Sequence, residues 1–285
     1  MKRVSKILVP IDFSKCSENA LAFAIQLADK IKANIQVLNV SPFDTKNTEN
    51  PHTGLVLMEE QNSQSRKRLI KSVKKATESV RSSLDESPSI QNNIEMGRTE
   101  TTICDVAARN QIDYIVMGTQ GENSTLDKYL GSVASNILKN APCPVMVIPE
   151  ETEFEKKLVI GYATEFLDAD PFEIWKTIKF FKLFQPEIKC VHFNEKQAYK
   201  EDKINELELY FAETAPELNV ELYNLPVKDK VKDKVKDMNK FIKEHNVNML
   251  VMYKPKRTFF DSIFHKSYTQ KMARHTNIPL LVFKE

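Results

Sequence analysis

The sequence predicts an α/β fold with two tandem domains, each a parallel sheet with helices on both faces. Short runs of apolar residues alternate with amphipathic segments along the chain. Strands that are apolar throughout are typical of parallel sheets buried by helices on both faces. The length of 285 residues favours about two domains.

Five apolar runs in the first half of the chain are predicted strands, over residues 7–11, 35–40, 90–96, 113–117 and 144–148. After the first strand, Ser14 or Ser17 can cap a helix whose apolar residues recur at helical spacing up to Ile31. Further helices are predicted over 57–85, from Thr99 or Thr101, and over 132–140. The polar stretch 41–56 contains two prolines and a glycine and predicts a loop.

The second half of the chain repeats this pattern. Residues 157–162 restart the pattern of 6–11, and 188–193 repeat 35–40 at an offset of 153 (188 minus 35). The last strands match at an offset of 135 (279 minus 144), so the second copy is 18 residues shorter between these points. This tandem duplication predicts domains at 1–150 and 151–285.

Composition excludes several classes of function. A net charge of +2 gives no basic field for nucleic acid, and no apolar run approaches a membrane span. The amino-terminal residues lack the apolar region of a secretory signal. The four cysteines show neither paired nor zinc-type spacing, which favours a reduced, cytoplasmic compartment. We expect neither a nucleic-acid nor a membrane partner.

Glycines are scarce and clustered. The chain has six, and Gly118, Gly121 and Gly131 fall within fourteen residues. They follow a predicted strand and precede a helix that opens at Ser132. Backbone amides that no side chain hinders, next to a helix N-terminus, favour binding of a phosphate. The alternative is a plain surface loop with turn glycines.

With these residues the chain resembles the universal stress protein family in its tandem form. The motifs are Pro10-x-Asp12 after the first strand, Gly118-x2-Gly121-x9-Gly131-Ser132, and Pro142-Cys-Pro144-Val145 at the last strand. The resemblance implies a five-stranded parallel sheet in the order 3-2-1-4-5 in each domain. That order places strands one and four side by side at the switch in winding, where open sheets bind ligands.

The resemblance further implies ATP as the ligand, either alone or with Mg²⁺, in the first domain. The adenine would lie near Val40 and Met117, with the backbone of residues 10–12 and the Asp12 carboxylate at the adenosine end. The ribose and phosphates would lie near the loop 118–124 and the turn 132–134. Asp12 could instead only cap a helix, Met117 could belong to the core, and Lys128 could remain solvated. The implied site residues are Pro10, Ile11, Asp12, Val40, Met117, Gly118, Thr119, Gly121, Gly131, Ser132, Val133 and Ala134.

The second half departs from the motif. At the offset of 135, Gly118, Gly121 and Gly131 become Tyr253, Lys256 and Lys266, whereas Ser267 still matches Ser132. Ala163 is aligned with Asp12, and Phe193 with Val40. We expect this degenerate domain to bind no ATP in the family's way. Its lysines leave open whether another anion binds there.

The resemblance predicts a cytoplasmic, nucleotide-binding stress protein that acts as a sensor or regulator. The alternative is an interaction or scaffold module that does not depend on nucleotide. No catalytic triad or Walker A motif is legible, so slow ATP hydrolysis is the most that we expect. Family domains commonly pair through their last strands, here 144–148 and 279–283. The resemblance therefore implies that the two halves pair with each other in this way and that two chains then associate as a homodimer.

Overall fold

The computed structural model describes residues 5–42, 51–121, 130–164, 170–194, 201–214, 220–226, 231–254, 272–273 and 276–284. The chain divides into two compact units, residues 1–152 and 153–285. Each unit is an α/β structure built on a parallel sheet. None of the helices in these ranges is long and apolar enough to cross a membrane.

The first unit contains a five-stranded parallel sheet in the order β3-β2-β1-β4-β5, which confirms the predicted fold. Its strands are β1 (Lys6–Pro10), β2 (Asn34–Ser41), β3 (Ile90–Met96), β4 (Tyr114–Gly118) and β5 (Val145–Ile148). Ile7, Leu8 and Val9 of the central strand have no exposed surface. Burial of an apolar strand on both faces fixes β1 firmly between its neighbours.

Four helices accompany this sheet: α1 (Lys15–Ile31), α2 (Pro51–Val80), α3 (Thr99–Arg109) and α4 (Ser132–Asn140). Of the two candidate caps for α1, Ser14 is the cap, and its side chain accepts a hydrogen bond from the Ser17 amide. The predicted loop over 41–56 is wrong for residues 51–56, because α2 already begins at Pro51. Proline suits the first turn of a helix, where its missing N–H has no intrahelical partner.

The second unit has the same topology, in the order β8-β7-β6-β9-β10. Its strands are β6 (Val159–Thr164), β7 (Glu187–Asn194), β8 (Val220–Pro226), β9 (Met249–Lys254) and β10 (Leu280–Lys284), and its helices are α5 (Asp170–Phe181), α6 (Glu201–Thr214) and α7 (Val231–Glu244). The predicted apolar face of α7 is buried at Val235, Met238 and Phe241. Residues 227–230, which the prediction included in that helix, lie outside the described residues.

Strand registers define which positions correspond in the two units. Ile7 lies opposite Ile35 and Tyr114, whereas Ile160 lies opposite Ile188 and Met249. The offset is therefore 153 in the first two strands and 135 in the fourth. In the third strand it is 130, because β2 residue 35 faces residue 90 and β7 residue 188 faces residue 220.

This register corrects one sequence alignment. Ala163 lies opposite Val191 just as Pro10 lies opposite Leu38, so Ala163 corresponds to Pro10 and not to Asp12. The position that corresponds to Asp12 is Glu165, which lies outside the described residues. The expectation that the second copy has lost this acidic residue is therefore wrong, because a glutamate stands at the corresponding position.

Candidate functional site

The candidate site lies at the carboxyl edge of the first sheet, where the winding reverses between β1 and β4. These strands are direct neighbours, with Ile7 opposite Tyr114 and Leu8 opposite Ile115. Pro10 is buried at the end of β1, and Gly118 ends β4. The order of strands thus brings together two motifs that are more than one hundred residues apart in sequence.

Asp12 faces both the start of α1 and the glycine loop. Its Oδ1 accepts hydrogen bonds from the amide of Ser14 at 3.1 Å and from the Ser14 hydroxyl at 2.6 Å. A β-carbon added at Gly121 would lie only 2.6 Å from the Asp12 Oδ2. The carboxylate therefore holds Ser14, the N-cap of α1, by hydrogen bonds and also occupies the space beside Gly121.

Phe13 follows Asp12 directly and contacts Arg68, and sequence reasoning missed both residues. Phe13 has φ of 68°, in the left-handed region that non-glycine residues seldom adopt. The Arg68 guanidinium carbon, carried by α2, lies 4.2 Å from the centroid of the Phe13 ring. This cation–π contact holds a positive charge next to the residue that follows Asp12.

Gly118 is required by packing. A β-carbon here would lie 2.8 Å from Cys16 Sγ and 3.0 Å from the Cys16 carbonyl carbon. The same Sγ lies 3.6 Å from Thr119 Oγ1 and 3.5 Å from the Ile148 carbonyl oxygen. Cys16, which sequence reasoning also missed, therefore packs against the end of β4, at the point where the glycine loop begins.

The N-terminus of α4 is bonded to this loop. The Gly131 amide donates to the Thr119 carbonyl at 2.7 Å, and a β-carbon at Gly131 would lie 3.4 Å from that oxygen. Gly131 caps α4 and offers no side chain to the first-turn amides of residues 132–134. Amides in a first turn have no acceptor within the helix and favour an anion.

The predicted adenine side is formed by β1 and β2. The Ile11 amide donates to the Leu38 carbonyl at 2.8 Å, and the Ile11 carbonyl accepts from Asn39 Nδ2 at 2.9 Å. Val40, at the end of β2, is half-buried. Met117 is only 6% exposed, which agrees with the alternative that it belongs to the core. Asn39 was also missed, because an asparagine within a strand gives no local signal of a long-range bond.

The second unit differs from the first at the position of Gly118. Tyr253, at the position of Gly118, is only 5% exposed. Ser124 and Lys128 of the first unit, and residues 256, 266 and 267 of the second, lie outside the described residues. Across the described ranges, no group of three or more His, Cys, Asp or Glu side chains could hold a metal ion.

A model of the universal stress protein family matches residues 3–149 and 190–284. The chain belongs to the universal stress protein family. A universal stress protein of Methanocaldococcus jannaschii is 33% identical over 146 residues, which cover 50% of this chain and 81% of that protein. One of Bacillus subtilis is 27% identical over 149 residues, covering 50% and 98% respectively.

A solved structure supports the two-unit fold. The crystal structure of a universal stress protein from Archaeoglobus fulgidus superposes with a TM-score of 0.72 at 20% identity and covers 98% of both chains. At that identity the similarity establishes the fold. The two regions that the family model matches confirm the predicted tandem form of the family.

Proposed function

We propose that the first unit binds ATP at its carboxyl edge and that its occupancy serves a sensor or regulatory role in a stress response. The observation that carries this proposal is the bond from the Gly131 amide to the Thr119 carbonyl. It holds the N-terminus of α4 against the main chain that follows β4, in the crevice where open α/β sheets bind ligands. The first-turn amides of α4, at residues 132–134, thus begin next to the main chain of residues 119–121.

The arrangement favours a polyphosphate end at this loop and an adenosine end at β1 and β2. Bonds from amides to phosphate are charge-assisted and contribute about 1.5–3 kcal/mol each. A lysine at 121 would displace the Asp12 carboxylate, because even its β-carbon would lie 2.6 Å from Asp12 Oδ2. Absence of a side chain at this position supports close approach of the ligand to the main chain.

A magnesium ion fits this arrangement as a companion of the phosphates. Mg²⁺ is commonly held by one or two carboxylates together with phosphate oxygens and water. The exposed Asp12 carboxylate supplies one such ligand beside the loop. In that role its charge would be neutralised by the cation instead of repelling the phosphates.

The test is to purify the chain without added nucleotide, denature it, and identify released adenine nucleotide by mass spectrometry. Added ATP should raise the melting temperature, because ligand at 100 times its Kd stabilises a folded protein by about 2.7 kcal/mol. Affinity should fall from ATP to ADP to AMP, since each step removes a phosphate from the loop amides. No released nucleotide and an unchanged melting temperature would favour the nucleotide-independent interaction or scaffold module.

The proposal extends to a homodimer in the cytoplasm. It rests on family membership and on the four cysteines, which form no disulfide and so suit a reducing compartment. Sedimentation equilibrium should give twice the chain mass of 32.8 kDa, and a single-chain mass would exclude the dimer.

A further inference from the structure

A second cleft lies at the amino edge of the first sheet, at the opposite end of the strands from the candidate nucleotide site. It has a volume of about 410 Å³ and lies where β1, β2 and β3 begin and α3 ends. Its walls are polar, and the side chains that matter here are Lys6, Gln36, Gln91, Asn93, Arg109 and Asn110. A volume of this size suits a small-molecule ligand.

Gln36 is the unusual member of this wall. Its side chain is part of a residue only 8% exposed, and its Oε1 accepts a hydrogen bond from Asn110 Nδ2 at 2.9 Å. Its Nε2 is buried and has no hydrogen-bond partner within the described part of the chain. Buried polar groups in native proteins are almost always paired, so this amide requires an acceptor that the described residues do not supply.

The charged groups of the cleft leave cationic donors available. Lys6 Nζ donates to the Asn110 carbonyl at 3.1 Å, which leaves two of its three N–H groups for other partners. Arg109 Nη2 pairs with Glu95 Oε1 at 2.6 Å. The neighbouring carboxylate of Asp113 accepts from the Lys6 backbone amide at 2.8 Å. The carboxylates of Glu95 and Asp113 are thus bonded to protein donors.

The second unit contains a different set of side chains at the corresponding positions. By strand register, Gln36, Gln91 and Asn93 correspond to Lys189, Glu221 and Tyr223. The Glu221 carboxylate accepts hydrogen bonds from Lys189 Nζ at 3.0 Å and from the Tyr223 hydroxyl.

One more position completes this match. At the offset of 135, Asn110 corresponds to His245, whose ring centroid lies 4.4 Å from that of Tyr223. In the second unit, therefore, the Glu221 carboxylate accepts hydrogen bonds from Lys189 and Tyr223, which correspond to Gln36 and Asn93.

From this comparison we propose that the amino-edge cleft of the first unit binds a small organic carboxylate. The carboxylate oxygens of this ligand accept hydrogen bonds from the side-chain amides of Gln36 and Asn93 and from the Lys6 ammonium. The ligand thus supplies the group that Glu221 supplies in the second unit. Gln91 is neutral where Glu221 is charged, so the first unit has no internal carboxylate at this position and an external one takes its place.

The test uses the full chain labelled with ¹⁵N, titrated with succinate and, separately, with its uncharged analogue succinamide. Succinate should cause saturable shifts in the side-chain amide signals of Gln36, Asn93 and Asn110, whereas succinamide should cause no saturable shift. Absence of saturation by succinate through the millimolar range, or equal affinity for the two probes, would overturn the proposal.

A paired variant provides the control. Gln36→Lys with Gln91→Glu transplants the ion pair of the second unit and should lower succinate affinity about tenfold or more, the loss expected for a charge-assisted hydrogen bond. Gln61→Glu with Gln64→Lys makes the same charge changes on the exposed face of α2 and should leave affinity unchanged. Unchanged affinity in the cleft variant contradicts the site. Succinate binding should also persist in Gly121→Lys, which separates this proposal from the nucleotide site.

Discussion

The two units share one topology but differ at the carboxyl ends of their fourth strands. In the first unit β4 ends in Gly118, directly over Cys16, and the loop continues past Thr119 to Gly121 beside Asp12. In the second unit the corresponding position is the buried ring of Tyr253. The fold survives this exchange of a glycine for a large ring. The sheet topology therefore tolerates a large ring at this position, and the glycine of the first unit reflects a local requirement, its close contact with Cys16.

The largest effect is expected from removing the ring of the second unit. Tyr253→Gly should destabilise that unit by about 3–5 kcal/mol, because truncation of a buried aromatic side chain leaves a cavity. It should not create ATP binding, since Lys256 and Lys266 replace the other two glycines of the motif. Denaturant unfolding followed by Trp175, the one tryptophan of the chain, measures the stability. ATP binding by this variant at a second site would contradict the comparison.

The next effect concerns the converse exchange in the first unit. Gly121→Lys, the residue type of the second copy, should weaken ATP binding about a hundredfold or more, which corresponds to at least about 2.7 kcal/mol. Asn140→Lys adds the same charge at the far, exposed end of α4 and should bind ATP as the parent does. Calorimetry on both variants decides, and equal affinities would remove Gly121 from the site.

A smaller effect tests the packing beneath β4. Gly118→Ala should cost about 1–3 kcal/mol in the free energy of unfolding, because the added β-carbon would crowd the side chain and backbone of Cys16. Adding Cys16→Ala should recover only part of this loss, since the backbone carbonyl of residue 16 stays within 3.1 Å. Chemical denaturation of the single and double variants measures the coupling. Full recovery would show that the sulfur alone excludes a side chain.

The smallest effect belongs to the charged cluster of the second unit. The hydrogen bond to the Glu221 carboxylate, followed by burial, raises the pKa of Tyr223. Burial is the largest influence on the pKa of Lys189 and acts to lower it, but the hydrogen bonds to Glu221 and Tyr223 and the charges of these two groups together raise that pKa. A raised folded-state pKa gives stability that is present below the unfolded value, about pH 10 for both groups, and is lost as pH rises through the folded value.

Tyr223→Phe should therefore cost about 0.5–1 kcal/mol at neutral pH, a value reduced for partial solvent exposure. It should also make the fall in stability above about pH 10 shallower than in the parent chain. Trp175 fluorescence during unfolding at a series of alkaline pH values provides the measurement. Identical pH profiles for the two proteins would rule out a stabilising role for this hydrogen bond.

Much of the fold could be predicted from the sequence because its signals are local. The apolar runs that became β1 to β5 were located to within a residue or two, and the cap of α1 was one of two serines considered. The start of α2 was misplaced because Pro51 was taken as a loop residue, although proline also favours a first helical turn. The alignment of Ala163 with Asp12 failed because a sequence match cannot see strand register.

The contacts around the candidate site could be predicted only in part. The spacing of the glycines indicated a loop, and the family order of strands indicated that it would meet Asp12. By contrast, the support from Cys16, the bond from Asn39 to the Ile11 carbonyl and the stacking of Arg68 on Phe13 join distant segments. Such contacts depend on side-chain packing across elements, for which a single sequence carries no periodic signal.

The most direct test of the whole account is the number and place of ATP molecules bound per chain. Calorimetry should give one ATP per chain, and hydrogen exchange in its presence should slow at residues 118–121 and 132–134 while residues 249–254 keep their rate. Two nucleotides per chain, new protection at 249–254, or no binding at saturating ATP would contradict it.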